Sequence, residues 1–169
     1  MIKRALLFLL VMGCVVSAAA SGRVSERLIL DGAISFAFIP IFQIAAFAVV
    51  FRPRLSGANS FSVAGEQFFA GDFPWLLWLI LVGAFLGVTP PRVSAGSFLT
   101  IVATAAVPAI LVARRDFRFF REAMGATPRE ATRKLLLHRA IGWTLAIAYF
   151  FGIALWSEEL PALAKALGL

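Results

Sequence analysis

The sequence predicts an all-α polytopic membrane protein, a bundle of four or five transmembrane helices with amphipathic interfacial helices. Three observations predict this fold class. Hydrophobic residues make up 61% of the chain, and the mean hydropathy of +0.91 is far above that of a soluble domain. Charged residues make up only 15% and collect in short segments between apolar runs. The whole chain, 1–169, is therefore interpreted as a single integral membrane domain.

The N-terminal segment, 1–22, admits two interpretations. Lys3 and Arg4 precede an apolar run that ends in small residues, which is the layout of a cleavable signal peptide. No charge falls between Ala5 and Gly22, so the segment also has the composition of an uncleaved first span. We favour the retained span and keep the signal peptide as the alternative.

Four further apolar runs are predicted to cross the bilayer: 28–51, 73–91, 93–113 and 135–157. A span needs about 20 residues, because a helix rises about 1.5 Å per residue and the hydrocarbon core is about 30 Å thick. Pro40 is expected to kink the first of these runs. A short helix with Phe61, Ala64 and Phe68 on one face is expected before the second, either in the membrane interface or packed on the bundle.

The segment 114–134 is predicted to form a basic cytoplasmic elbow between the last two spans. Its first helix should end at Gly125, which can adopt the left-handed conformation of a helix C-cap. Thr127 is a good N-cap, Pro128 suits the first helical position, and Glu130 completes a capping box. The second helix is therefore expected to begin near Pro128.

The elbow is also the predicted binding surface. Phe117, Phe120 and Met124 lie beside a row of arginines at helical spacing. Such a helix can rest on anionic lipid headgroups with its aromatic face in the bilayer, or it can dock on a partner protein. The residues predicted to contact headgroups or a partner are Arg114, Arg115, Arg118, Arg121, Arg129, Arg133, Lys134 and Arg139.

The distribution of lysine and arginine predicts the orientation. With five spans and the N-terminus inside, twelve of the sixteen basic residues fall in inner segments and four in outer ones. This bias follows the positive-inside rule. We therefore expect a protein of the bacterial inner membrane with a periplasmic C-terminus. Because the rule also explains the net charge of +7, no nucleic-acid partner is expected.

Helix packing is predicted at two pairs of small residues four positions apart, Gly83 with Gly87 and Gly142 with Ala146. Small residues let neighbouring membrane helices approach closely. The predicted spans contain no carboxylate deep enough to indicate a proton or ion path, since Asp31 lies near the end of its span.

Two short patterns resemble parts of known membrane proteins. The run from His138 to Trp143 is similar to the start of haem-carrying helices in b-type cytochromes, but those proteins pair two histidines and this chain has one. We therefore predict no cofactor and expect His138 to lie at the membrane interface. Gly125 followed by Leu135-x-Leu137-His138 resembles part of the EAA loop of ABC-importer permeases, which docks on an ATPase, although the Glu-Ala-Ala is missing.

The sequence lacks the common catalytic patterns. It has no phosphate-binding loop, no dinucleotide fingerprint, no HExxH and no nucleophile elbow. A single cysteine excludes an internal disulfide framework. We therefore expect a non-enzymatic accessory, assembly or scaffold subunit of a larger membrane complex. The alternative is a transporter component whose elbow couples to a cytosolic partner.

Overall fold

The computed structural model of the chain describes residues 2–51, 61–88 and 94–166, and the side chains of 3–51, 61–86 and 94–155. This part of the chain is almost entirely helical and contains no strand, which confirms the predicted all-α class. The helices are α1 (Ile2–Ser21), α2 (Glu26–Ser35), α3 (Phe38–Val50), α4 (Phe61–Phe69), α5 (Phe73–Val88), α6 (Ala95–Thr104), α7 (Ala106–Glu122) and α8 (Pro128–Ala166). A 3₁₀ turn, Ala70–Asp72, joins α4 to α5.

Five helical runs within the described ranges are long and apolar enough to cross a membrane: Lys3–Ser21, Glu26–Val50, Phe61–Leu86, Ala95–Glu122 and Pro128–Leu155. Many of the large apolar side chains on these runs are exposed on the bundle surface, including Leu81, Leu99 and Phe151. In water that surface would be costly, whereas acyl chains would cover it in a bilayer. The arrangement is consistent with a multi-pass membrane protein.

Pro40 interrupts the second run as predicted. Proline has no N–H, so it cannot bond to the carbonyl of Phe36 four residues earlier. Ile39 donates its N–H to that carbonyl instead, at 3.1 Å, in the tighter three-residue pattern. The helix breaks there, with α2 ending at Ser35 and α3 beginning at Phe38.

Pro108 breaks the fourth run in the same way, between α6 and α7. α6 ends at Thr104, whose hydroxyl accepts a hydrogen bond from the indole N–H of Trp78 at 3.1 Å. α7 then runs without interruption to Glu122. The helix therefore crosses the predicted junction between residues 113 and 114 without a break, and the first elbow helix is continuous with the apolar run.

α1 and α2 pack closely around two glycines. A Cβ atom on Gly13 would lie 2.3 Å from the carbonyl oxygen of Ile29, and one on Gly32 would lie 2.8 Å from the Cβ of Val16. At the connection, the hydroxyl of Ser17 donates to the carbonyl of Arg23 at 2.8 Å. The contact of the two backbones therefore requires glycine at both positions.

Buried apolar side chains concentrate at one end of the bundle, which we call the elbow end because it contains residues 114–134. We call this cluster the aromatic core. It consists of Phe47, Val50, Phe51, Ala64, Phe68, Phe120 and Ala131. The rings of Phe47 and Phe68 stack with centroids 4.7 Å apart. Stacked rings of this kind contribute beyond their buried area, so the aromatic core fixes α3, α4, α7 and α8 relative to one another.

The predicted short helix corresponds to α4. Ala64 and Phe68 are buried against the bundle, while Phe61 at its start is partly exposed and contacts the rings of Phe47 and Phe51. The structure thus has the packed alternative, with the aromatic face in the protein and not in the membrane interface. The polar connection at 52–60, including Arg52 and Arg54, lies outside the described residues.

Candidate functional site

The elbow has the local geometry that its sequence predicts. Gly125 adopts a φ of +62°, where a side chain with a Cβ would be strained. The N–H of Thr127 donates to Oε2 of Glu130 at 2.9 Å, and the N–H of Glu130 donates to Oγ1 of Thr127 at 3.4 Å. These two hydrogen bonds form the capping box, and α8 begins at Pro128.

A buried ion pair joins the two helices above the elbow. Nη2 of Arg139 in α8 donates to Oδ2 of Asp116 in α7 at 2.5 Å, and Asp116 is only 2% exposed. Asp116 lies in the predicted elbow, so the expectation about carboxylates within the spans does not cover it. The prediction placed Asp116 in a polar connection, but α7 continues through this position and turns the carboxylate towards α8.

Two of the eight predicted binding residues point inwards. Besides Arg139, Lys134 donates from its Nζ to the backbone carbonyl of Val50 at 3.1 Å, at the C-terminal end of α3. This carbonyl lies in the last turn of its helix, where no intrahelical donor is available. Both side chains are partly buried and tie α8 to its neighbours.

The other six predicted residues are exposed and cover the outside of the elbow end. They are Arg114, Arg115, Arg118 and Arg121 on α7 and Arg129 and Arg133 on α8. We call them the arginine set. Because the capping box, the buried ion pair and the aromatic core hold both helices, these six side chains are displayed on a fixed frame.

The aromatic face beside the arginine set is not free to enter lipid. Phe120 is fully buried in the aromatic core, and Phe117 and Met124 pack against it half-buried. The prediction that this face rests in the bilayer is wrong for Phe120. The physical reason is that α4 and the end of α3 supply a protein surface for these side chains.

Charged residues from distant parts of the sequence meet at the elbow end. Nε of Arg4 in α1 donates to Oε2 of Glu66 in α4 at 3.2 Å. Asp72 lies within electrostatic range of Arg4 and Arg139. The N-terminus, α4 and the elbow thus lie at the same end of the bundle, as the threading prediction requires for segments on one side of a membrane.

The predicted helix-packing residues differ in their surroundings. A Cβ on Gly83 would lie 3.0 Å from Cγ2 of Val15, so α5 approaches α1 closely there. Gly87 lies outside the residues whose packing the structure describes. At Gly142 a Cβ would meet no described atom within 4 Å, because Gly142 and Ala146 line a cavity.

This cavity has a volume of about 820 Å³ and lies between α1, α3, α5 and α8. Its walls are mostly aromatic and aliphatic, with Phe42, Trp75 and Trp143 among them. A few polar side chains gather in its lining, and they include Gln43 and His138. The cavity could not be predicted from the sequence, since its four helices meet only in the folded bundle.

His138 is buried in the wall of this cavity and is 1% exposed. Its ring packs edge-on against Phe68 with centroids 5.0 Å apart. Neither ring nitrogen has a hydrogen-bond partner of ordinary geometry in the described part of the chain, although a backbone group of Gln43 faces the ring. The expectation of an interfacial histidine is wrong, because α8 turns this position towards α3 and α4. The described residues contain no group of three potential ligands for a metal ion.

Comparison with protein-family models, curated proteins and solved structures finds no match to this chain. The elbow, the buried ion pair and the cavity are therefore the features of this chain that bear on its function.

Proposed function

We propose that this chain is a non-enzymatic multi-pass protein of the bacterial inner membrane that serves as an accessory or scaffold subunit of a larger membrane complex. The observation that carries this proposal is the arginine set on its fixed frame. Interfaces between proteins are enriched in arginine, and a preordered side chain loses less conformational entropy on binding. The elbow therefore suits a docking surface for an acidic partner.

Anionic lipid headgroups are the second expected contact of the arginine set. Each arginine near an anionic membrane surface contributes about 1 kcal/mol, and this attraction is screened over about 8 Å at physiological salt. Lipid contact would hold the bundle at a fixed height in the bilayer. The proposed partner would then bind a surface whose position is already set.

Co-purification in a mild detergent tests the docking surface. We expect the wild type to retain a stoichiometric larger partner, and the triple variant Arg114→Gln, Arg118→Gln and Arg121→Gln to lose it. The matched control replaces two exposed arginines by glutamine, Arg23 in the connection before α2 and Arg27 in the first turn of α2, and should keep the partner. A monomeric wild type at all detergent and salt conditions would contradict the proposal.

The proposed orientation has the elbow in the cytoplasm and the C-terminus in the periplasm, as the lysine and arginine bias predicts. Reporter fusions after Arg54 or after Arg121 should read cytoplasmic, and a fusion at Leu169 should read periplasmic. The control is the same reporter after Arg92, which should read periplasmic. A cytoplasmic C-terminus would refute the orientation.

A transporter component is the second candidate, and the buried Asp116–Arg139 pair specifically favours it. Buried charges within apolar helices often mark substrate or ion pathways. In this case the elbow would couple the bundle to a cytosolic ATPase. The same co-purification separates the two candidates. A partner without catalytic activity would support the scaffold subunit, whereas a bound ATPase whose hydrolysis rate depends on the arginine set would support the transporter component.

A further inference from the structure

We propose that the cavity between α1, α3, α5 and α8 holds one acyl chain of a membrane phospholipid, with the lipid phosphate at Lys3. The chain would run along the cavity from the elbow end towards the middle of the bilayer. This inference is independent of the proposed docking surface, because none of the arginine set lines the cavity.

The cavity extends along the helix axes. Its wall on α8 runs from Arg139 to Phe150, which is roughly 16 Å at about 1.5 Å per residue. Its wall on α1 runs in the same direction, from Lys3 to Met12. One leaflet contributes half of a hydrocarbon core that is about 30 Å thick. The cavity therefore matches the depth that an acyl chain reaches from its headgroup, whereas a compact ring would fill only part of it.

The polarity of the wall changes from one end of the cavity to the other. At the far end the ring of Phe38 meets that of Phe150 edge to face, with centroids 5.4 Å apart. The charged side chains of the wall lie at the elbow end, and they are Lys3, Arg4, Asp72 and Arg139. A phospholipid has the same division into a charged head and a hydrocarbon chain. The division therefore places the head at the elbow end.

Lys3 is the cation that remains for a phosphate. Arg4 and Arg139 each pair with a carboxylate of a neighbouring helix. Asp72 lies within electrostatic range of these two arginines. Lys3 is exposed and has no hydrogen bond or ion pair to any residue whose side chain the structure describes. Its ammonium group can therefore bind phosphate oxygens as a point charge.

The cavity is open towards the apolar surface that faces the membrane. Phe73, Trp143 and Phe150 line it and are also more than half exposed, at 59%, 68% and 57%. Gly142 and Ala146 face the same space, and a Cβ on Gly142 would meet no described atom within 4 Å. A flexible chain can enter from the bilayer and fill the gap that these small residues leave beside α8.

Native mass spectrometry tests the proposal by counting the lipids that stay bound. Delipidated protein in a mild detergent is titrated with a phospholipid, and separately with a diacylglycerol that has the same acyl chains and no phosphate. We expect one phospholipid to bind more tightly than any further one. The diacylglycerol should bind about fivefold more weakly, which is the effect of one contact between a cation and an anionic headgroup.

The variant Lys3→Met tests the phosphate contact. It should weaken phospholipid binding about fivefold, because the only cation free for the phosphate in the described wall is lost. Its affinity for the diacylglycerol should stay unchanged. The matched control is Arg23→Met, which replaces an exposed arginine in the connection after α1 and should change neither affinity.

Two glycine substitutions in α8 test the place of the acyl chain. Gly142→Leu puts a side chain in the cavity, whereas Gly152→Leu puts one on an exposed surface, and neither new Cβ atom meets a described atom within 4 Å. Both replace glycine in a helix and should raise helix propensity similarly. Each buried methylene contributes about fourfold to affinity, so Gly142→Leu should weaken both lipids about fifteenfold by displacing about two of them. Gly152→Leu should leave both affinities unchanged.

Three results would overturn the proposal. The first is a wild type in which no lipid binds more tightly than the others. The second is equal phospholipid affinity in the two glycine variants, with circular dichroism showing both folded. The third is equal phospholipid affinity in the wild type and Lys3→Met, a variant whose exposed side chain makes it safe for folding and which decides the case if Gly142→Leu does not fold.

Discussion

Replacing Arg139 by methionine should destabilise the folded chain by about 3–5 kcal/mol, because it leaves the carboxylate of Asp116 buried without a partner. Removing the carboxylate instead of the arginine should reduce stability by less. In Asp116→Leu the arginine keeps about a third of its side chain exposed and has Asp72 within range as a substitute. The two single variants should therefore differ, with Arg139→Met the more damaging.

The double variant Asp116→Leu with Arg139→Met should recover most of the lost stability, since apolar replacement of a buried ion pair is often neutral. Unfolding by a denaturing detergent measures the four free energies of the cycle. Arg129→Met is the control, as its side chain is exposed, and should change stability by at most about 0.5 kcal/mol. A change that small in Arg139→Met would show that the pair does not hold α7 to α8.

The substitution Gly13→Leu should lower the free energy of unfolding by about 3 kcal/mol or more. Its Cβ would lie 2.3 Å from the carbonyl oxygen of Ile29, so the backbones of α1 and α2 must separate. Overpacking usually costs about 1–3 kcal/mol, and this contact involves a backbone atom that cannot rotate away. Gly152→Leu is the matched control, because a Cβ there meets no described atom. Equal thermal midpoints for the two variants would refute the close α1–α2 contact.

Local signals made the elbow predictable from sequence. Gly125, Thr127 and Glu130 act through hydrogen bonds and dihedral preferences within a few residues, so their spacing alone predicts where the helices end and begin. Pro40 is also a local signal, because its missing N–H removes a hydrogen bond within its own helical turn. Pro108 is the same signal in another span, and the break there could have been predicted by the same argument.

Contacts between distant segments could not be read from the sequence. Gly13 and Gly32 have no spacing that singles them out, and only the antiparallel pairing of α1 and α2 brings them together. Asp116 looks like one more charge in a polar stretch until α8 places Arg139 opposite it. His138 likewise becomes a cavity residue only when α3 and α4 pack around it. These features depend on tertiary pairing, which local periodicity does not specify.

The concentration of buried rings at the elbow end gives the two halves of this molecule different responses to cooling. The free energy gained by removing apolar area from water becomes smaller as temperature falls, because this driving force is largely entropic near 25 °C. The packing of the aromatic core around Phe120, which excludes water, should therefore be the first to weaken on cooling. The pairing of α1 with α2 through Gly13 rests on close van der Waals contact, which has no such dependence. In chilled detergent extracts, hydrogen exchange should thus rise in Ala123–Ala131 while Met12–Val16 stays protected.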